Sequence, residues 1–103
     1  MHNSHTIKAV VKVVELQILY ELKDFESIYH KLDAFRHFIT KNEEMSAGMR
    51  DSLKNFYKIY SMLVEIKMDS GKFIPAQVRA EKLKRKYSYS MEWLSEKIEE
   101  LGK

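Results

Sequence analysis

Apolar residues in this chain recur at intervals of three and four, the spacing of one face of an α-helix, and they rarely alternate as they do in a strand. The clearest stripe lies within residues 25–39. Its members are Phe25, Ile28, Tyr29, Leu32, Phe35 and Ile39. Asp24 precedes the stripe and is suited to accept hydrogen bonds from the first turn. The pattern predicts a helix that ends near Lys41 and Asn42.

Residues 7–22 are rich in valine and isoleucine, which favour strands. The polar residues Lys8, Lys12 and Glu15 recur at helical spacing, however, so we predict a helix here too. Eleven of its sixteen residues are apolar. A helix that is apolar on most sides should be covered on most sides. That is difficult to arrange within 103 residues, so this helix is expected to need a partner.

Three more helices follow. Ser46 is suited to cap a third, which runs to about Met68. It should present two apolar faces, one formed by Leu53, Phe56, Tyr57, Tyr60, Leu63 and Val64, the other by Ile59, Met62 and Ile66. Pro75 suits the first turn of a fourth, with Val78 and Leu83 facing inward and Tyr87 joining them. Ser90 can cap a fifth, residues 91–101. The sequence predicts one all-α domain, residues 1–103, of about five helices.

The corner between the first two helices resembles a tetratricopeptide-type (TPR) repeat. The resemblance is carried by residues 19–26, Leu-Tyr-Glu-Leu-Lys-Asp-Phe-Glu. Lys23 stands where that family has a glycine, and Leu16, Ile28 and Phe35 are bulky where it prefers small residues. The resemblance implies a TPR-like antiparallel helical hairpin, extended here to a bundle.

Almost the whole chain is similar to the C-terminal module of large TPR-containing proteins of Bacteroidetes-type bacteria. The matching segments are 20–25, 32–39, 41–42, 53–60, 79–86 and 91–101, in that order. These are packing motifs. The resemblance therefore implies a protein-protein interaction module and no particular chemistry.

Composition narrows the functional classes. The chain has no cysteine, which excludes disulfides, thiol catalysis and cysteine-ligated zinc. No Lys/Arg-rich segment precedes the first apolar stretch, and charges interrupt that stretch, so we expect neither a signal peptide nor a membrane span. A cytoplasmic location is the resulting expectation.

Positive charge is concentrated in residues 71–90, which hold six Lys/Arg and one Asp/Glu, while residues 1–70 hold ten of each. The candidate basic patch consists of Arg79, Lys82, Lys84, Arg85 and Lys86. Such a helix could bind nucleic-acid phosphates, with Tyr87 and Tyr89 stacking on bases, or an anionic membrane. Solvated or partner-facing surface is the more common role of such a segment.

Sites for chemistry are weakly indicated. His30, Asp33 and His37 share a helix face at the spacing of metal ligands, but no fourth ligand accompanies them, so a solvated face is the better interpretation. The sequence shows no nucleophile, base and orienting group in a pattern typical of a catalytic site. We therefore predict no enzymatic activity, no cofactor and no metal.

The first helix supplies the principal functional prediction. We expect a non-enzymatic module that self-associates as a two-fold dimer, or binds another helical repeat, through Ile7, Val10, Val11, Val14 and Ile18. The alternative is a small nucleic-acid-associated protein that uses the basic helix 79–86.

Overall fold

The computed structural model describes residues 4–69 and 71–101, and in this part of the chain it contains five α-helices and no strand. The helices are α1 (Ser4–Leu22), α2 (Phe25–Lys41), α3 (Ala47–Lys67), α4 (Pro75–Lys84) and α5 (Met91–Glu100). The all-α prediction is confirmed. The TPR-like arrangement stays a prediction.

The chain divides into two compact units, which are described separately below. The first, Met1–Ser46, contains α1 and α2, and the second, Ala47–Lys103, contains α3, α4 and α5. The expectation of one domain over residues 1–103 stays a prediction.

A Schellman motif ends α1 and turns the chain into α2. The amide of Asp24 donates to the carbonyl of Leu19, and the amide of Lys23 donates to the carbonyl of Tyr20, each at 3.1 Å. Lys23 has φ 58°, the left-handed conformation that glycine adopts most easily. The Asp24 side chain then accepts from the Ser27 amide at 3.3 Å, so the predicted cap of α2 is confirmed.

The two helices of the first unit pack on each other. One side of α1 is buried, and its members are Ala9, Val13, Leu16 and Tyr20. The buried side of α2 consists of Ile28, Leu32, Phe35 and Ile39. Tyr29 is 47% exposed, so its assignment to the buried stripe was wrong. It follows Ile28 directly and is therefore rotated about 100° from it around the helix.

The second unit is built around α3, which packs against both α4 and α5. Its buried residues come from both predicted faces, and they are Leu53, Phe56, Ile59, Tyr60, Met62, Leu63 and Val64. Tyr60 links two aromatic neighbours, with ring centroids 5.4 Å from Phe56 and 6.1 Å from Trp93. The two-sided burial predicted for α3 is confirmed, although Tyr57 and Ile66 are only half-buried.

The fourth and fifth helices correct two predictions. Val78 is fully buried, but Leu83 and Tyr87 are 77% and 78% exposed, so their inward assignment was wrong. Leu83 lies five residues after Val78 and is therefore rotated about 140° from it. Ser90 precedes α5 with φ 54° and its side chain makes no capping hydrogen bond, so the predicted side-chain cap is absent.

Candidate interaction surface

All five residues predicted to form an interface are exposed on α1. The exposed fractions are 60% for Ile7, 42% for Val10, 51% for Val11, 43% for Val14 and 53% for Ile18. Leu22 is 69% exposed and continues the same face, because it follows Ile18 by four residues. We call these six residues the α1 outer face.

The outer face lies opposite the buried side of α1, so this helix carries two apolar stripes. One stripe is buried at Ala9, Val13, Leu16 and Tyr20, and the other is open to solvent. The spacing from Ile7 through Val11 and Val14 to Ile18 is four, three and four, which is the seam of a coiled coil. Contiguous exposed apolar surface of this kind typically marks an interaction site.

Charged residues flank one edge of this face. Lys8 and Glu15 lie one helical heptad apart, and the Glu15 carboxylate pairs with Lys31 of α2 at 3.4 Å. The ammonium of Lys12 lies 5.5 Å from the ring centroid of Phe38. Both contacts are at the surface, so their net contribution to stability is small.

An open groove of about 610 Å³ extends this surface from α1 onto α2. Its apolar lining comes from Ile7, Val11, Ala34 and Phe38, and its polar rim from Lys8, Lys12, Glu15, His37 and Lys41. The α2 residues were not predicted from the sequence. Phe38 lies outside the buried α2 stripe. An apolar residue in that position was the sequence signal that could have located the α2 side of the groove.

The basic patch is only partly available in the structure. Arg79, Lys84 and Lys86 are exposed, and Lys82 is half-buried. Arg85 is engaged within the unit, since its guanidinium donates to Glu81 at 2.7 Å and to Asn55 at 2.8 Å. The hydrogen bond from Arg85 is the main reason that the pKa of Glu81 lies below its ordinary value. The positive charges of Arg85, Lys84 and Lys58 act in the same direction, and desolvation opposes them.

The histidine and aspartate residues of α2 do not form a metal site. Asp33 accepts from Arg36 at 3.0 Å, and His37 Nδ1 lies 2.9 Å from the Asp33 carbonyl oxygen. Among residues 4–69 and 71–101, no group of three His, Cys, Asp or Glu side chains is close enough to hold a metal ion. None of the helices in these ranges has the length and apolarity required to cross a bilayer.

Comparison with protein-family models, curated proteins and solved structures found no match. The resemblance to TPR-containing proteins therefore stays a prediction, and the functional argument depends on the geometry of the surfaces described above.

Proposed function

We propose that this chain is a non-enzymatic interaction module that self-associates through the α1 outer face. One observation carries the proposal. Six aliphatic side chains, between 42% and 69% exposed, lie on one side of a helix whose opposite side is already buried. Leaving such a stripe in water is unfavourable, and a second copy presents a matching stripe.

The exposed area sets the strength expected of this contact. The six side chains together expose the equivalent of about three complete aliphatic side chains, or about 6 kcal/mol per protomer at ~2 kcal/mol each. At 25 cal/mol per Å², a dimer would bury about 500 Å² of apolar surface, and about 800 Å² in total if 65% of the interface is apolar. That is below the usual range for stable complexes, so a weak dimer is expected.

Light scattering over a concentration series tests the proposal. The mass should rise from the 12.3 kDa of one chain toward twice that value between about 1 and 100 μM, the range of a micromolar dissociation constant. A mass that stays at 12.3 kDa across this range would refute self-association.

A second candidate function is nucleic-acid binding by the exposed cations of α4 and of the residues after it. The supporting observation is that Arg79, Lys84 and Lys86 are exposed and that the Lys86 ammonium lies 5.4 Å from the ring centroid of the exposed Tyr87, while Glu81 is paired with Arg85. Cations could contact phosphates there, and the tyrosine could stack on an unpaired base.

Filter binding of single-stranded RNA and DNA at low salt separates the two functions. If the second candidate is correct, replacing Arg79, Lys84 and Lys86 with glutamine should abolish retention. The same change at Lys23, Lys41 and Lys54 removes equal charge elsewhere and should have little effect. Equal losses in both triple variants, or no retention by the unmodified chain, would contradict a nucleic-acid site.

A further inference from the structure

We infer that the two copies meet with their α1 helices antiparallel, so that Ile7 lies opposite the partner's Ile18 and Val11 lies opposite the partner's Val14. The inference rests on the proposed self-association and adds its orientation and register. The two-fold axis would pass between Lys12 and Val13, at the midpoint of the seam.

The seam has the symmetry that an antiparallel contact requires. Its residues are Ile7, Val11, Val14 and Ile18, so both the order of side chains and the four-three-four spacing are the same in either direction. In this register each isoleucine meets an isoleucine and each valine meets a valine. A two-fold contact is self-complementary in this sense, with the same patch used by both copies.

The charges beside the seam decide between the two orientations. Lys8 and Glu15 lie on the same edge of α1, on either side of the midpoint. The antiparallel register brings Lys8 beside the partner's Glu15, and the two-fold axis repeats this ion pair. A parallel register would instead bring Glu15 beside the partner's Val10, with no opposite charge. Charge complementarity therefore favours the antiparallel dimer.

The remaining groups along the seam are compatible with this register. The Glu15 carboxylate is paired with Lys31 in one chain, but both side chains remain more than 40% exposed, so Glu15 is accessible to a second cation. On the other edge, Val10 would lie beside the partner's Gln17, whose methylene groups can cover it. No like charges face each other at these positions.

Disulfide trapping tests the orientation directly, because the chain has no cysteine of its own. Ile7→Cys and Ile18→Cys would be prepared with distinguishable tags, mixed at 100 μM and oxidised. Positions 7 and 18 are about 16 Å apart along the helix, whereas disulfides require Cα atoms within about 7 Å. The antiparallel register predicts mainly mixed disulfides, and a parallel register predicts mainly disulfides within each variant.

The possible outcomes separate this inference from the proposed function. Predominantly homotypic disulfides in a dimeric sample would overturn the orientation and keep the α1 contact. A dimer that forms neither kind of disulfide would overturn the α1 contact itself, and a monomer at 100 μM would overturn self-association. Circular dichroism of each variant before oxidation verifies that it remains helical.

Charge reversal gives an independent test. Lys8→Glu and Glu15→Lys should each weaken self-association at least threefold, because each places like charges together twice. When mixed, the two variants should form heterodimers at least as readily as the unmodified chain dimerises. Lys54→Glu mixed with Asp51→Lys changes the same charges in the second unit and controls for attraction at a distance. Equal heterodimer preference in both mixtures would contradict the Lys8–Glu15 pairing.

Discussion

Replacing Val11 and Val14 with glutamate places four carboxylates in the middle of the proposed dimer, two from each copy. In the isolated chain both valines are about half exposed, at 51% and 43%, so the glutamates remain in water and the fold should tolerate them. In the dimer the same positions lie at the centre of the seam, where charges would be desolvated and close together. The double change should therefore affect association much more than folding.

The expected weakening of the dimer can be calculated from the exposed area of the α1 outer face. About 12 kcal/mol of gross burial in the dimer, less about 4 kcal/mol for lost translational and rotational freedom, leaves about 8 kcal/mol, a dissociation constant near 1 μM. The cost used is the low end of a range of about 4–15 kcal/mol, so this constant is the tightest expected. Each half-exposed valine contributes about 1 kcal/mol, and four are lost. The expected weakening is at least 1,000-fold, since 1.4 kcal/mol is a factor of ten and charge repulsion adds to it.

Sedimentation equilibrium at 10, 50 and 200 μM measures this effect. The unmodified chain should approach a dimer, and the Val11→Glu, Val14→Glu double variant should stay close to 12.3 kDa at 10 and 50 μM and rise only slightly at 200 μM. The matched control is Ala76→Glu with Ala80→Glu, which adds the same charge to the exposed side of α4 and should dimerise normally. Unchanged dimerisation of the α1 variant would refute the reasoning, and so would equal losses in both double variants.

Three further predictions concern stability. Lys23→Gly should stabilise the fold by about 0.5–1 kcal/mol, seen as a higher melting temperature, because it relieves the left-handed strain at φ 58°. Ser61→Ala should stabilise by about 1 kcal/mol in urea denaturation, because the buried Ser61 hydroxyl has no hydrogen-bond partner among the described residues. Glu81→Gln should destabilise by about 1 kcal/mol at pH 7, because it removes the ionised partner of Arg85. The difference should begin to shrink below about pH 4.5, where the carboxyl of the unfolded chain is protonated, and disappear at the lower pH where the native carboxyl is protonated.

Matched variants isolate the cause of each stability change. Glu21→Gly introduces glycine into the helical part of α1 and should destabilise by about 1 kcal/mol, opposite in sign to the change at Lys23. Ser95→Ala, in α5, reports helix propensity at a serine outside the α3 core. Glu43→Gln, at an exposed position, should show no comparable pH-dependent loss. The structural explanations would be contradicted if Lys23→Gly or Ser61→Ala lowered the stability of the fold. They would also be contradicted if the stability lost in Glu81→Gln did not depend on pH.

The sequence predicted the helices better than the directions of individual side chains. Four helices begin where local sequence signals placed them: α2 follows Asp24, α3 follows Ser46, α4 begins at Pro75 and α5 follows the break before Met91. Periodicity also identified the two-sided burial of α3. These features depend on spacing and on residues within one turn, which a single sequence contains.

Directions failed for two reasons. Tyr29 adjoins the buried Ile28 in a long, regular helix, so an apolar neighbour was counted with the stripe, whereas α4 is short and its one further apolar residue could be assigned to either side. Leu83 was placed inward with Val78, but five residues of helix rotate it away, and charged residues on either side gave no clear polar face to correct the assignment. The pairing of Arg85 with Asn55, thirty residues away, leaves no signal in local spacing. The Phe38 side of the groove likewise depends on how α1 packs on α2.

The central claim is that a second copy covers the α1 outer face, and isotope-filtered nuclear Overhauser spectroscopy tests it most directly. A 100 μM mixture of ¹³C-labelled and unlabelled chains reports only contacts between copies. We predict intermolecular signals between the methyl groups of Val11 and Val14 and from Ile7 to Ile18. A dimeric sample whose intermolecular signals come from other surfaces, or a sample with none, would contradict the claim.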